Sequence, residues 1–459
     1  MSKNAGVEEF GYKQELKRSL SLRDLVIFGI VFMSPLSSMI LFGIMSTNSH
    51  GHNFLSYLVG FTAMLFTAYS YGKMVEAFPI AGSTYSYTQR SIDPKLGFLA
   101  GWVILLDYFL IPTLLYVISA NFANALVPQV PFWVWVLIYV IPVTFINIRG
   151  VEVAAKFNFV ITALMMLAVV AFVLAAAKYA YGTEGYSILS LSAIYNPKTF
   201  EWNAVVSGSA MAVLCYLGFD AITTLSEEAH ETSHKMGIAI ILACLIQTAI
   251  YLSIAYFGTI VTPEFKFENV DTAFFDIAFK VGGSALQIFI TIIIIISGAS
   301  TALAGQSSAS RVLYGMGRDK MIPAAFFAYL HPKYKTPTYS ILAMGVVGLI
   351  GSLTISMTRL GEMVTFGGLF GFICVNLSVI SHCYIKAKGR RSLIHLVCPL
   401  IGMCVCAYIL IELSPLAKTI GFLWMGSGIL YLIIRSLYSK DFKHILEKNA
   451  LVNPDANIG

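Results

Sequence analysis

Several acidic residues stand in or beside apolar runs, where charge is expensive. Asp107 lies in Leu105-Leu106-Asp107-Tyr108, Asp220 in Tyr216-Leu217-Gly218-Phe219-Asp220, and Glu227 and Glu228 follow shortly after. A carboxylate at bilayer depth costs several kcal/mol unless something pairs with it, and such residues mark ion or substrate paths. The runs that hold these acids contain no internal lysine or arginine to neutralise them. They are therefore expected to be protonated, hydrogen-bonded, hydrated, or matched by a cation brought from outside. That pattern points to a cationic substrate or a coupling ion. The plainer alternative is a protonated structural aspartic acid bonded to backbone, and for Glu227 and Glu228 a solvated helix end.

Two runs also carry residues that interrupt a helix. Leu25 to Met33 is followed by Ser34-Pro35-Leu36-Ser37-Ser38 before the apolar run resumes at Met39; Pro35 removes a backbone donor and frees the carbonyl one turn back. The run holding Asp220 has Gly208 early and Gly218 late. Interrupted helices in corresponding positions of two halves point to a midplane site where unpaired backbone groups meet a ligand. Ser297, Ser300 and Thr301 follow the apolar run Ile292 to Ile296. Their hydroxyls either complete a cation site with carbonyls of the first run or bond to backbone oxygens one turn back.

These residues must be positioned by helices in lipid. The 459-residue chain is 57% hydrophobic and 12% charged, about half the charged share of an average soluble domain. Crossing hydrocarbon as a helix takes roughly 20 apolar residues. Twelve runs meet that requirement, near 25–46, 53–75, 97–121, 132–148, 157–178, 203–226, 237–261, 285–310, 339–357, 363–385, 393–413 and 417–438. The polar residues before the first run, and its length, argue against a cleavable signal peptide. With the N-terminus inside, 24 of the 30 lysines and arginines fall on the inner segments, which sets a cytoplasmic N-terminus and C-terminus by the positive-inside rule. The net charge of +6 thus serves topology, and no nucleic-acid role is expected. Lys386, Lys388, Arg390 and Arg391 stand where lipid headgroups would lie. Lys440 to Lys448 is expected to form a short surface helix, with the tail beyond it disordered. The seven cysteines lack metal spacing and read as small buried hydrophobes.

His230-Glu231-Thr232-Ser233-His234 matches the H-E-x-x-H pattern, in which two histidines on one helix face hold zinc and the glutamate acts as general base. It implies a membrane zinc protease as a remote alternative. A protease needs a third ligand and a cleft, and here the motif falls in a polar connection between runs. The expectation is therefore no enzyme and no metal site.

Tyr71-Gly72-Lys73 with Pro79-Ile80-Ala81-Gly82-Ser83-Thr84-Tyr85, Gly218-Phe219-Asp220 with Glu227-Glu228, and Ser310-Arg311-Val312-Leu313-Tyr314-Gly315-Met316-Gly317-Arg318-Asp319 with Thr336-Pro337 resemble the amino acid–polyamine–organocation transporter superfamily. Leu105-Leu106-Asp107-Tyr108 and Val375 to Ser381 look most like the bacterial putrescine importers within it. The resemblance implies an all-α polytopic membrane protein of 12 transmembrane helices. These would form a LeuT-like five-plus-five inverted repeat, residues 25–178 and 203–385, plus two C-terminal helices, 393–438, between cytoplasmic tails 1–24 and 439–459. It implies a secondary importer of a small organic cation such as putrescine in the bacterial inner membrane, driven by a proton gradient without a cofactor. An amino acid permease or exchanger is the alternative. Substrate would lie among Ser34, Pro35, Ser37, Ser38, Asp107, Tyr108, Cys215, Gly218, Phe219 and Asp220. Asp220, Glu227 and Glu228 would gate, and Ser297, Ser300 and Thr301 are possible coupling-ion ligands. By motif match, Tyr108 and one of Glu227 or Glu228 correspond to residues implicated in putrescine transport. Relatives that carry amino acids usually have a Gly-Ser-Gly-like first break, whose amides hold a carboxylate. Ser34-Pro35-Leu36 is bulkier and one donor poorer, which favours an amine without a carboxylate. Met165 stands where proton-coupled relatives often place a lysine, which leaves sodium coupling open.

Overall fold

A computed structural model describes residues 16–438 apart from 81, 128, 184–188, 231, 268–269, 271–272, 356, 388–391 and 414. The N-terminal residues up to 15, the basic positions 388, 390 and 391, and the tail helix expected at Lys440 to Lys448 lie outside the described residues. Among the described residues the architecture is helical, with one isolated backbone bridge between Leu20 and Ala229. Eleven helices among the described residues are long and apolar enough to cross a membrane. The expected run at 339–357 is a shorter apolar helix, Thr338–Thr354.

The first run opens with α1 (Leu22–Met33), capped by Ser21, which exchanges bonds with Asp24. Ser34 takes a left-handed φ of 53°, Pro35 and Leu36 turn the chain, and α2 (Ser37–Ile40) and α3 (Phe42–Asn48) resume it. After α4 (Asn53–Ala77) and the short α5 (Thr84–Ser91) comes α6 (Pro94–Leu126), a central post that packs against five of the helices that follow it. Next come α7 (Phe132–Arg149), α8 (Val151–Gly182) and α9 (Trp202–Tyr216). A 3-10 turn follows at Phe219–Leu225, then α10 (Ser233–Val261), α11 (Ala273–Arg318), α12 (Ala324–Phe327), α13 (Thr338–Thr354) and α14 (Met357–Val379). A π turn, Ile380–Ile385, extends α14, and α15 (Ile394–Glu412) and α16 (Pro415–Tyr438) end the described chain.

Packing divides the helices into two sets. α1, α4, α9 and α10 lean on one another, while α6, α11, α13 and α14 form the other set, with α8 bridging α10 and α11. The outward faces of the peripheral helices carry Ile141, Leu174, Leu423 and Ile433, all exposed, as suits contact with acyl chains. Four cysteines are buried, but Cys404 is exposed on α15, which corrects the expectation that all seven are interior: its helix turns that face outward.

Candidate functional site

Both interruptions form, the second at Gly218 alone: Gly208 lies inside the continuous α9, where its missing side chain lets Ser49 and Ser56 pack close. α1 ends at Met33 and α9 at Tyr216, and in each case the last carbonyls lose their intrahelical partners. Gly218 takes a left-handed φ of 115°, and a Cβ there would lie 2.7 Å from the Phe32 ring. Only glycine meets both demands without strain.

Asp107 and Asp220 are fully buried beside these breaks. Tyr108 donates its hydroxyl hydrogen to Oδ2 of Asp220 in a short hydrogen bond. Oδ1 of Asp220 and both oxygens of Asp107 find no hydrogen-bond partner among the described residues. Asp107 fits because α14 approaches closely through Gly367 and Gly368: a Cβ at Gly368 would stand 3.2 Å from Asp107 Oδ2 and 2.6 Å from Leu217. The site thus concentrates carboxylate oxygens with fewer donors than they can accept, an arrangement suited to an ammonium group or a proton.

A cavity of about 1030 Å³ leads toward this pair without reaching it. Its rim carries exposed Asn121, Asn203 and Ser207, and its deep wall is Phe32, Met33, Cys215 and Leu217. Phe32 packs 6.3 Å, centroid to centroid, from Tyr108, and Leu217 is next to Gly218. Phe32 and Leu217 therefore form an apolar partition between the cavity and the two aspartates. Among the described residues Glu412 is the one charged residue lining the cavity.

The remaining expected residues fall around the breaks with differing roles. Ser37 donates to the Met33 carbonyl at 3.1 Å, whereas the buried Ser38 hydroxyl finds no hydrogen-bond partner within 3.5 Å among the described residues. Cys215 Sγ lies 3.4 Å from the Tyr57 hydroxyl. Phe219 is walled in by Tyr71 and Phe372, at 5.6 and 5.2 Å. Thr301 reaches across to donate to the Val31 carbonyl at 2.8 Å, an oxygen to which Pro35 can offer no amide and which the Ser34 amide also reaches at 3.1 Å, while Ser297 bonds back to Ile294 of its own helix. Ser300 and Met165 are buried.

Beyond the breaks, buried ion pairs tie the end of the second interrupted run to α11. Glu227 accepts from Arg318 Nη1 at 2.9 and 3.1 Å, and Glu228 accepts from Arg311 Nε in a short bond. Both glutamates and Arg311 are buried. This overturns the solvated helix end and the absence of basic partners: α11 continues past 310, where the apolar run ends, and carries Arg311 inward as a buried cation. The Glu228 carbonyl also accepts the Ser19 and Leu20 amides at 2.9 and 3.1 Å, so the segment before α1 lies against this stretch.

The H-E-x-x-H pair does not share a helix face. α10 begins at Ser233, so His230 precedes it, and His234 Nδ1 lies 2.8 Å from Glu76; position 231 is outside the described residues. Among the described residues no group of three or more metal-ligating side chains forms.

The feature that local reading missed is Tyr251 of α10. Its hydroxyl lies 2.7 Å from the Met33 carbonyl, 3.2 Å from that of Ser34 and 2.6 Å from that of Cys215. The polar stripe Cys244, Gln247, Tyr251, spaced for one helix face, was its available signal.

Comparison with known proteins agrees with this architecture. The chain is 32% identical to the low-affinity putrescine importer PlaP of Escherichia coli (strain K12), over 91% of its own length and 93% of that protein. It is 26% identical to the methylthioribose transporter of Bacillus subtilis (strain 168), covering 94% and 95% of the two chains. It is 23% identical to the branched-chain amino acid permease BcaP of the same organism, covering 93% and 94%. Residues 29–438 match the family described as amino acid permease, and with nearly every described helix inside that match the chain belongs to this family of multi-pass membrane transporters.

Proposed function

We propose that the chain is a secondary active importer of a small organic cation, with putrescine the leading substrate and protons the coupling ion. The observation that carries this reading is the buried Asp107/Asp220 pair. Its carboxylate oxygens outnumber their donors, and an organic diammonium supplies what they lack. The likeness to a putrescine importer supports the same choice. No cofactor enters; an ion gradient supplies the energy.

The cavity faces outward in this reading, with both tails in the cytoplasm and the chain in the bacterial inner membrane. A cation descends the cavity, Phe32 and Leu217 swing aside, and its ammonium groups replace lost hydration with Asp107, Asp220 and free break carbonyls. Contact with the Tyr108 ring contributes on the order of 0.5–2 kcal/mol. Cytoplasmic opening then requires the Glu227–Arg318 and Glu228–Arg311 pairs to part. Two five-helix repeats meeting at the breaks would carry this motion. Asp220 takes up the coupling proton: its carboxylate receives a hydrogen bond from Tyr108 and has an unpaired oxygen to protonate.

The test is uptake of radiolabelled putrescine into proteoliposomes under imposed proton or sodium gradients, with amino acids and polyamines as competitors. Proton-driven uptake that cadaverine and spermidine inhibit is expected, together with loss of pH-driven uptake in Asp220→Asn. Competition by lysine or a neutral amino acid, without competition by polyamines, would replace the amine with an amino acid. Intact pH-driven uptake in Asp220→Asn would remove the proton role.

A further inference from the structure

The C-terminal ends of α1 and α9 meet at a single side-chain atom. Three carbonyl oxygens, of Met33, Ser34 and Cys215, surround the Tyr251 hydroxyl within hydrogen-bond distance. A phenol has one hydrogen to give, so it cannot fully satisfy all three at once. Met33 and Ser34 have other donors: the Ser37 hydroxyl reaches Met33 at 3.1 Å, and the Ser37 amide reaches Ser34 at 3.0 Å. The hydroxyl is closest to Cys215.

The ring that carries this hydroxyl is held firmly. Tyr57 of α4 lies 5.1 Å from it and Tyr216 of α9 lies 5.3 Å from it, centroid to centroid. Tyr216 is itself fixed to α10 by a 2.9 Å bond to Thr248. All three tyrosines are fully buried. One turn before Tyr251, Gln247 is also buried, and neither end of its amide finds a hydrogen-bond partner within 3.5 Å among the described residues. α10 is continuous through this region, so an unbroken helix carries the group that touches both broken ones.

From this geometry we infer that Tyr251 is a positioning residue, a shared cap that fixes the first break to the second and sets which carbonyls remain open to a cation. Helix C-termini carry partial negative charge. Two such ends brought to one point attract a cation only if their spacing is held, because each carbonyl would otherwise turn to satisfy itself. The hydroxyl holds that spacing while leaving acceptor capacity over. The inference rests on the reading of the breaks as the cation site, and it concerns a residue that does not itself need to touch the substrate.

Tyr251→Phe removes one oxygen and leaves the ring packing in place. Tyr57→Phe is the matched control: an equally buried ring whose hydroxyl lies 3.4 Å from the Cys215 sulfur. Hydrogen–deuterium exchange on purified full-length protein should show amides in both 33–40 and 215–222 exchanging at least threefold faster in Tyr251→Phe, with both unchanged in Tyr57→Phe. In proteoliposomes, Tyr251→Phe should raise KM for putrescine about tenfold with the maximal rate within twofold. Unchanged exchange in either segment, a uniform rise along the chain, or the same response in Tyr57→Phe overturns the inference. So does an unchanged KM. A parent protein that carries no putrescine would defeat the substrate reading, and the exchange experiment would still decide the role of Tyr251.

Discussion

Tyr108 of α6 and Asp220 of the turn after α9 are joined by a hydrogen bond from the phenol to the carboxylate, in a fully buried setting. The bond links the central post of one helix set to the break in the other. It is therefore placed to report on binding between the two.

Removing that donor leaves a buried carboxylate with one partner fewer, a loss of about 1–3 kcal/mol. Tyr108→Phe should lower kcat/KM for putrescine by about tenfold or more, since each tenfold step corresponds to about 1.4 kcal/mol. Kinetics within twofold of the parent would mean that the bond is structural only.

Glu228→Gln strips the counter-ion from Arg311, which is buried. Breaking a buried pair from one side costs about 3–5 kcal/mol. The melting temperature of purified protein should fall clearly, and the double variant Glu228→Gln with Arg311→Gln should recover part of the loss. A double variant no more stable than Glu228→Gln alone would show that the pair is not what holds this end.

Gly218→Ala sets an L-residue at a left-handed φ, with its methyl 2.7 Å from the Phe32 ring. Strain of about 1–2 kcal/mol adds to crowding of about 1–3 kcal/mol. Uptake should drop at least tenfold while the protein still elutes as a monodisperse peak, and Phe32→Leu added to it should restore part of the activity. Uptake unchanged by Gly218→Ala alone would show that the close approach of ring and backbone is dispensable.

Among the described residues Glu412 is the one charge on the cavity wall; nearby Lys418 donates instead to the Ile411 carbonyl. An acid there draws cations inward over a range set by salt. Glu412→Gln should reduce kcat/KM for a dication about threefold at low ionic strength, with no change in maximal rate, and the difference should vanish near ~0.5 M salt, where the Debye length shrinks to a few ångströms. A defect that persists at high salt would point to direct contact instead.

The breaks were legible because proline and glycine act locally: Pro35 cannot supply an amide and Gly218 alone tolerates its backbone angle, whatever surrounds them. The buried aspartates were legible for a similar reason, since their cost in apolar surroundings follows from residue type. What was hidden depends on neighbours distant in sequence. Arg311 lies one residue beyond the end of an expected span, and only the length of α11 shows it turning inward to Glu228. Gly367 and Gly368 look like ordinary small residues until α14 is laid against Asp107. Tyr251 belongs to an apolar run, and its meaning comes from carbonyls 36 to 218 positions away.

The Ser19 and Leu20 amides are bonded to the carbonyl of the same glutamate whose carboxylate holds Arg311. Release of the segment ahead of α1 and parting of the Glu228–Arg311 pair thus share one latch.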